Sequence, residues 1–296
     1  MTSQQPAHPQ LLHQFTRWWW QNKKGDFACR WRRRPVWGAQ LIQKLGLERE
    51  VRAPLFWGGS MTVMTNERIS GSLLTFGYAE PSITALMLHF LKDGDSMVDA
   101  GAHFGYETLL GSRLVGSRGS VIAFEPNPSA FRFASVNLRD SNNVRLEPKA
   151  VGDINGTAYL ENRPISESGF NSLSCEKGGF DTTKVEIVRL DTLLADRNRR
   201  IDFLKCDVEG HELSVLRGAA DILKNDQPLL VLEADMPSSD GMTSPRAHEL
   251  AAYLDRYGYR PCNFDFDGQL QLGELDAFPV YHPNVAFVPR AHAALS

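Results

Sequence analysis

The sequence predicts an α/β fold in which a mainly parallel sheet is covered on both faces by helices. Three observations predict it. From Pro81 onward, short apolar runs alternate with helix-length amphipathic segments, the pattern of successive βαβ units. The run Pro228–Glu233 is apolar at consecutive positions, as a strand buried on both faces requires. The first of these strands also runs into a glycine-containing turn that opens a helix, Asp99-Ala-Gly101-Ala-His103-Phe-Gly105. Open α/β sheets hold ligands at such turns, at the carboxyl ends of their strands.

The elements follow in order. Residues 9–22 fit an amphipathic helix: Pro9 suits the first helical position, and Leu11, Leu12, Phe15, Trp18 and Trp19 recur at helical spacing. Trp18, Trp19 and Trp20 span too wide an arc for one buried stripe, so at least one is expected to face another element or solvent. A short helix near 37–46 follows the basic run Arg30–Arg34. Met61–Thr65 and Ile69–Phe76 read as two strands, with Asn66-Glu67 as the turn between them. Pro81 then opens a helix with Ile83, Leu86, Met87, Phe90 and Leu91 on one face, closed by Lys92–Asp95. Next come strand 96–100, helix 104–114, strand 120–125, helix 128–140 and strand 144–150. Strand 201–206, helix 212–224, strand 228–234, helix 245–257 and strand 259–266 complete the alternation. Strands 157–161 and 184–189 interrupt it and flank Ser166–Ser174, a Ser/Gly-rich stretch suited to a lid.

Composition narrows the function classes. A chain of 296 residues with 42% apolar and 23% charged residues is globular, which excludes disorder, collagen-like repeats and a coiled coil as its main architecture. The net charge of −3 hides an asymmetry: residues 1–57 carry 10 Lys/Arg against 3 Asp/Glu, and hold all six tryptophans. No run approaches the roughly 18 apolar residues of a membrane span. The residues after Met1 lack a signal-type apolar stretch, so a cytoplasmic protein is expected. Cys29, Cys175, Cys206 and Cys262 are scattered without a CxxC pair, which argues against zinc.

The turn after the first strand carries the chemistry. Gly101 allows close backbone approach to a ligand, and Gly105 allows helix and strand to pack closely. Glu125 ends the next strand, 20 residues beyond Gly105; there a carboxylate can accept from both hydroxyls of a ribose. A nucleoside-containing cofactor is therefore expected. A dinucleotide site wants G-x-G-x-x-G, whereas D-x-G-x-x-x-G here sets Asp99 where a pyrophosphate would lie. Two anions there repel. S-adenosylmethionine, with an ammonium, a sulfonium and no phosphate, suits an acidic turn, and Asp207 supplies a second acidic strand end.

The segments Val98–Tyr106 (VDAGAHFGY), Ala123–Pro128 (AFEPNP), Ala150–Asp153 (AVGD) and Asp202–Glu212 (DFLKCDVEGHE) resemble, in order and spacing, the FkbM family of S-adenosylmethionine-dependent methyltransferases. The resemblance spans about residues 76–235, with a weaker echo to 290. It implies the class I methyltransferase (Rossmann-like) fold, a seven-stranded sheet whose last strand is antiparallel, with 259–266 and 280–288 as the final pair. Residues 76–296 would form the cofactor-binding methyltransferase domain, and residues 1–75 an N-terminal helical and hairpin extension on the substrate side. The family mostly methylates hydroxyls of sugars and secondary metabolites, and a minority methylates peptide nitrogen. His103 stands where the family usually has Asn, and residues 1–60 match no family pattern.

By position, Asp99, Gly101, His103 and Gly105 belong to the cofactor's methionine end, and Glu125 to the ribose. Asn127, Ala150 and Asp153 belong to the adenine edge, Asp153 being equally readable as a turn residue before Asn155-Gly156, and Asp207 completes the set. Glu80, before Pro81, either approaches the cofactor ammonium or caps its helix. His211 is the candidate general base, with Glu209 orienting it or the acceptor. The alternative is that Glu209 and Glu212 complement the next helix while His211 packs. Asp207 and Glu233, with Asp235 as a third, are the metal candidates, though no metal is expected. The expected partner is a small-molecule acceptor rather than nucleic acid, and a homodimer stays open. N-methylation of a peptide or amino-sugar, an RNA-binding methyltransferase and a nicotinamide-dependent oxidoreductase are the rival readings.

Overall fold

The computed structural model describes residues 6–23, 48–161, 173–174, 181–234, 244–264, 270–273, 275 and 284–290. The expected helix near 37–46, the basic run Arg30–Arg34, most of Ser166–Ser174 and Asp235 lie outside these residues, as do the side chains of the three successive tryptophans. Helix α1 (Pro9–Lys23) forms as its spacing predicts. Its Phe15 is fully buried, with ring centroids 5.1 Å from Phe56 and 5.2 Å from Tyr78. Strands β1 (Glu50–Pro54) and β2 (Ser60–Met64) make an antiparallel hairpin, Glu50 opposite Met64 and Pro54 opposite Ser60.

The expected second strand of a hairpin at Ile69–Phe76 is instead helix α2 (Arg68–Phe76). Asn66-Glu67 is not a hairpin turn, and the partner of β2 lies before it in the chain. The cause is local: Glu67 accepts the backbone N–H groups of Ile69 (2.8 Å) and Ser70 (2.6 Å), which makes it a helix N-cap. Leu73 and Leu74 then fall on a buried helical face. Helix α3 (Pro81–Phe90) follows.

The main sheet is assembled from β3 (Ser96–Ala100), β4 (Ser120–Phe124) and β5 (Val144–Glu147), with helices α4 (Tyr106–Val115) and α5 (Pro128–Leu138) between them. The expected strand 144–150 splits at Pro148, which cannot donate to a ladder. Beyond it β6 (Lys149–Val151) joins a separate four-stranded sheet with β7 (Gly156–Glu161), β8 (Leu173–Ser174) and β9 (Thr182–Val188). After the short helix α6 (Leu190–Leu193), β10 (Phe203–Cys206) returns to the main sheet. The expected helix 212–224 is two helices, α7 (Glu212–Arg217) and α8 (Ala220–Asn225). They break at Gly218, where a β-carbon would lie 1.9 Å from the Gly152 carbonyl oxygen. β11 (Leu229–Glu233), helix α9 (Pro245–Asp255), β12 (Tyr259–Phe264), β13 (Leu270–Leu272) and β14 (Asn284–Pro289) complete the described chain.

The sheet order is β13-β12-β14-β11-β10-β3-β4-β5. Five neighbours from β11 to β5 run parallel, and β14 inserts antiparallel between β11 and β12. This is the expected class I arrangement with one correction. The short edge strand β13 makes eight strands, not seven. The order reverses between β3 and β10, so the crevice of the sheet opens where those two strands end. One buried cluster joins Phe15, Val63 and Leu73 to Met97, Val121 and Val231, so the N-terminal elements share the core of one sheet face.

Replacing the Glu67 cap by alanine should cost about 1 kcal/mol of stability in chemical denaturation, with loss of α2 order as the accompanying change.

Candidate functional site

Beyond β3 and β10 the backbones nearly touch. Asp207 N–H donates to the Ala100 carbonyl at 3.0 Å, and a β-carbon on Gly101 would sit 1.8 Å from the Asp207 carbonyl oxygen. Gly101 also has φ +89°. Only glycine satisfies both conditions. A cavity opens above this contact, walled by Gly101, His103, Glu125, Asp207, Glu209 and Glu233. Glu80, Asn127, Lys149 and Ala150 contribute from neighbouring elements, and Arg68 and Ile69 from α2.

Non-glycine residues with positive φ number four among the described residues: Glu80 (39°), His103 (50°), Glu209 (50°) and Gln227 (50°). The first three line the cavity. Such conformations cost about 1–3 kcal/mol each and persist where the surroundings over-determine them.

Glu125 ends β4 with both carboxyl oxygens accepting backbone N–H groups, His103 at 2.7 Å and Asn127 at 2.8 Å. Each oxygen keeps a lone pair for a ligand hydroxyl. Burial pushes its pKa up to about 7 against those two hydrogen bonds. Asn127 caps α5 through Ser129 N–H at 2.9 Å and Ala130 N–H at 3.0 Å. The half-buried His103 ring stacks on Phe104 with centroids 4.2 Å apart, and desolvation holds its pKa below the usual imidazole value.

Lys205 is the residue the sequence reading passed over. It is a lysine inside the buried run Phe203–Cys206, with its side chain 3% exposed. Its ammonium lies 3.7 Å from Asp99 Oδ1 and 3.5 Å from Asp207 Oδ2, and it donates to the Gly101 carbonyl at 3.3 Å. A lysine in an otherwise apolar strand is itself a signal, since lysine is almost never fully buried unless paired. Facing carboxyls raise its pKa well above the ordinary value, overcoming burial. Asp99 does not line the cavity. It is fully buried beneath it, with Oδ2 accepting from Thr108 Oγ1 at 2.6 Å.

Three other expected residues also sit off the cavity wall. Gly105 faces Leu138 and Ala134 of α5, where it permits close packing. Asp153 accepts from Ser214 Oγ at 2.8 Å, tying the β6 turn to α7. His211 occupies the N-cap position of α7. Glu209, in contrast, lines the cavity beside Asp207 and Glu233. Burial and the Asp207 charge push Glu209 up to about 7. Burial, then Asp207 and Glu209, push Glu233 up to about 9. Ligand atoms of Asp207, Glu209 and Glu233 lie within 4.8 Å of one another, so among the described residues these three could hold a divalent cation; Asp235 lies outside them. The loop is fixed from behind by the fully buried Glu212, which accepts Val208 N–H at 3.0 Å and pairs with Arg246 of α9.

The Methyltransferase FkbM domain family matches residues 99–261 of this chain, more than half its length. The hexuronic acid methyltransferase AglP of Haloferax volcanii is 27% identical over 148 residues, covering 49% of this chain and 59% of that protein. The chain thus spans less than two thirds of that relative's length. Among solved structures, the methyltransferase FkbM from Methylobacillus flagellatus is similar at 19% identity and TM-score 0.45, covering 74% of this chain and 52% of that one. Fibrillarin from Aeropyrum pernix, in complex with S-adenosyl-L-methionine, is similar at 16% identity and TM-score 0.43, covering 70% and 71%. No described helix is long and apolar enough to cross a membrane.

Lys205→Met should destabilise the fold by about 3–5 kcal/mol, because Asp99 is left buried without a counter-charge. Adding Asp99→Asn should recover part of that loss in denaturation midpoints; strictly additive effects would show that the two groups are not coupled.

Proposed function

The chain belongs to the FkbM methyltransferase family, and from that premise we propose that it is an S-adenosylmethionine-dependent O-methyltransferase acting on a hydroxyl of a sugar or secondary metabolite. The observation that carries this reading is the acidic cavity at the switch point of the sheet, where Glu209 stands with Asp207 and Glu233 beyond the glycine contact.

The residues fit the cofactor. Glu125 suits a ribose diol, the contact of Gly101 with Asp207 leaves room for a ligand chain at the strand ends, and the carboxyls favour a cation over a phosphate. S-adenosylmethionine supplies a methyl group on a positively charged sulfur. Everything else falls to this chain. Ile69 and Arg68 come from the N-terminal 75 residues, which supports a substrate-side role for that extension. AglP is named for a hexuronic acid acceptor, and Arg68 on the wall of the cavity is suited to receive such an acid group.

An acceptor hydroxyl must lose its proton as the new bond forms, and Glu209 is the base in this reading. It lines the cavity and titrates near neutrality, close to the value at which a general base is most effective. His211, at the entry of α7, is assigned to the loop rather than to the proton.

Thermal denaturation tests the cofactor directly. S-adenosylhomocysteine at 100 times its dissociation constant should stabilise the protein by about 2.7 kcal/mol, and NAD should not. The reverse pattern would refute the methyltransferase reading. In methyl transfer to glucuronate-bearing acceptors, Glu209→Gln should lower kcat by about 10²–10⁴-fold, and His211→Ala far less. Because the ionised form of Glu209 is the base, kcat/KM should fall as pH drops below about 7, and that limb should vanish in Glu209→Gln.

A further inference from the structure

A second cavity lies on the outer side of α4. Its volume is about 640 Å³, within the range of small-molecule sites. Leu109, Ser112, Arg113 and Gly116 line it from α4 and its C-cap, at the spacing of one helix face. The turn between β1 and β2, Trp57–Ser60, and the loop after α5, Asp140–Asn143, form its other walls. None of these residues lines the acidic cavity.

The protein itself fastens the walls. Asn143 accepts from Ser112 Oγ at 2.6 Å and donates to the Ser112 and Gly116 carbonyls at 2.9 and 2.8 Å, which holds the loop to α4. Asn137 spends its amide on Thr62 and Phe104, which holds the hairpin to α5. Phe56 N–H donates to the Gly77 carbonyl at 2.9 Å. Trp57 packs on Phe56 and Tyr106, with ring centroids at 4.8 and 5.5 Å. The two asparagines are therefore scaffold. Arg113, Ser117 and Asn142 differ: they are exposed on the wall, and none has a side-chain hydrogen bond or ion pair among the described residues.

The make-up of the wall selects its occupant. Trp57 is half-buried, so part of its ring surface is left to a ligand. Beside it, Gly58 and Gly59 have left-handed backbones at φ +92° and +77°, and a β-carbon on either would meet nothing within 4 Å. The turn is bare there, and a ligand can lie against it. Arg113 only donates, Asp140 only accepts, and Ser117 and Asn142 do both. One cation and one anion cancel, so the wall offers no excess positive charge to a phosphate or a nucleotide. A wholly apolar ligand would leave the polar groups unused. A pyranose satisfies both parts, since its C–H face packs on an aromatic ring while its hydroxyls donate and accept.

We propose that this cavity is a saccharide-binding site, in which a pyranose ring packs on Trp57 and its hydroxyls reach Arg113, Ser117 and Asn142. Binding there involves no covalent step and does not depend on the methyl-transfer reading. Rings with equatorial hydroxyls present C–H groups on both faces, so neutral β-linked glucose chains are the favoured class.

Saturation-transfer NMR with cellotriose tests it. The ring protons of cellotriose should receive magnetisation from the wild-type protein. Sorbitol, which has the hydroxyls without a flat C–H face, should receive none. Trp57→Ala should weaken cellotriose binding about tenfold, and Trp57→Phe should restore part of it. The double substitution Ser117→Ala, Asn142→Ala alters exposed groups alone and should weaken binding about three- to tenfold, so the test stands even where a Trp57 variant is unstable. Absence of transfer to cellotriose, equal transfer to sorbitol, or binding unchanged in the variants overturns the inference. Displacement of cellotriose by inorganic phosphate also overturns it and assigns the cavity to an anion. Stabilisation by S-adenosylhomocysteine should persist in every variant, which separates failure of this inference from failure of the methyltransferase reading.

Discussion

One ammonium group holds the functional end of this molecule together. Lys205 lies inside the sheet with its side chain 3% exposed, and it reaches Asp99, Asp207 and the Gly101 carbonyl at once. These partners sit on the two strands between which the sheet order reverses. The lysine therefore ties both lips of the crevice at the depth where a ligand must enter. Buried charge is expensive unless paired, and here each charge is the condition for the other. Without Asp99 and Asp207 the lysine could not stay charged in the sheet. Without the lysine, carboxyls converging from β3, α4 and the loop after β10 would repel one another or take up protons.

The same convergence explains where the backbone is strained. Gly101 and Asp207 approach so closely that a single methyl group would not fit, and Glu80, His103 and Glu209 all adopt left-handed conformations around that contact. Each contributes to the cavity: His103 donates its N–H to Glu125, and Glu80 and Glu209 line its wall. Such geometry survives because rigid elements lie behind it. Glu212 anchors the loop through Val208 N–H and Arg246, and the stacked rings of Phe104 and Phe133 lie behind His103.

The sheet was legible in the sequence because each parallel strand is a short apolar run bounded by turn residues, and the turn chemistry of Asp99–Gly105 places the ligand end. Legibility failed where a local contact outweighed pattern. Ile69–Phe76 reads as a strand until the Glu67 carboxyl is seen to cap it, and 212–224 reads as one helix until Gly218 meets Gly152. Of the residues expected at the site, Glu125, Asn127, Asp207 and Glu209 line the cavity, and each ends a strand or opens a helix. Asp99, expected at the ligand, lies buried beneath the cavity and pairs with Lys205. The end of a strand does not say which way its side chain points, and a buried lysine can claim it. Arg68 could not be found at all, since its place at the cavity depends on a helix that the pattern did not reveal.

That dependence separates the two halves of the site. The cofactor side is built from strand ends of the sheet, so the fold itself positions Glu125, Asp207 and Gly101. The other wall takes Arg68 and Ile69 from α2, whose position is set by the Glu67 cap and by Leu73 and Leu74 packing into a core shared with Phe15, Val63 and Met97. Asn137 of α5 reinforces this from the hairpin, accepting Thr62 N–H at 2.6 Å and donating to the Thr62 and Phe104 carbonyls at 3.0 and 2.9 Å. On the proposed reading, substrate choice lies in an element that can change in length or charge without touching the strand ends. It is nonetheless anchored in the same core, as the proposed placement of an acceptor hydroxyl against Glu209 would demand.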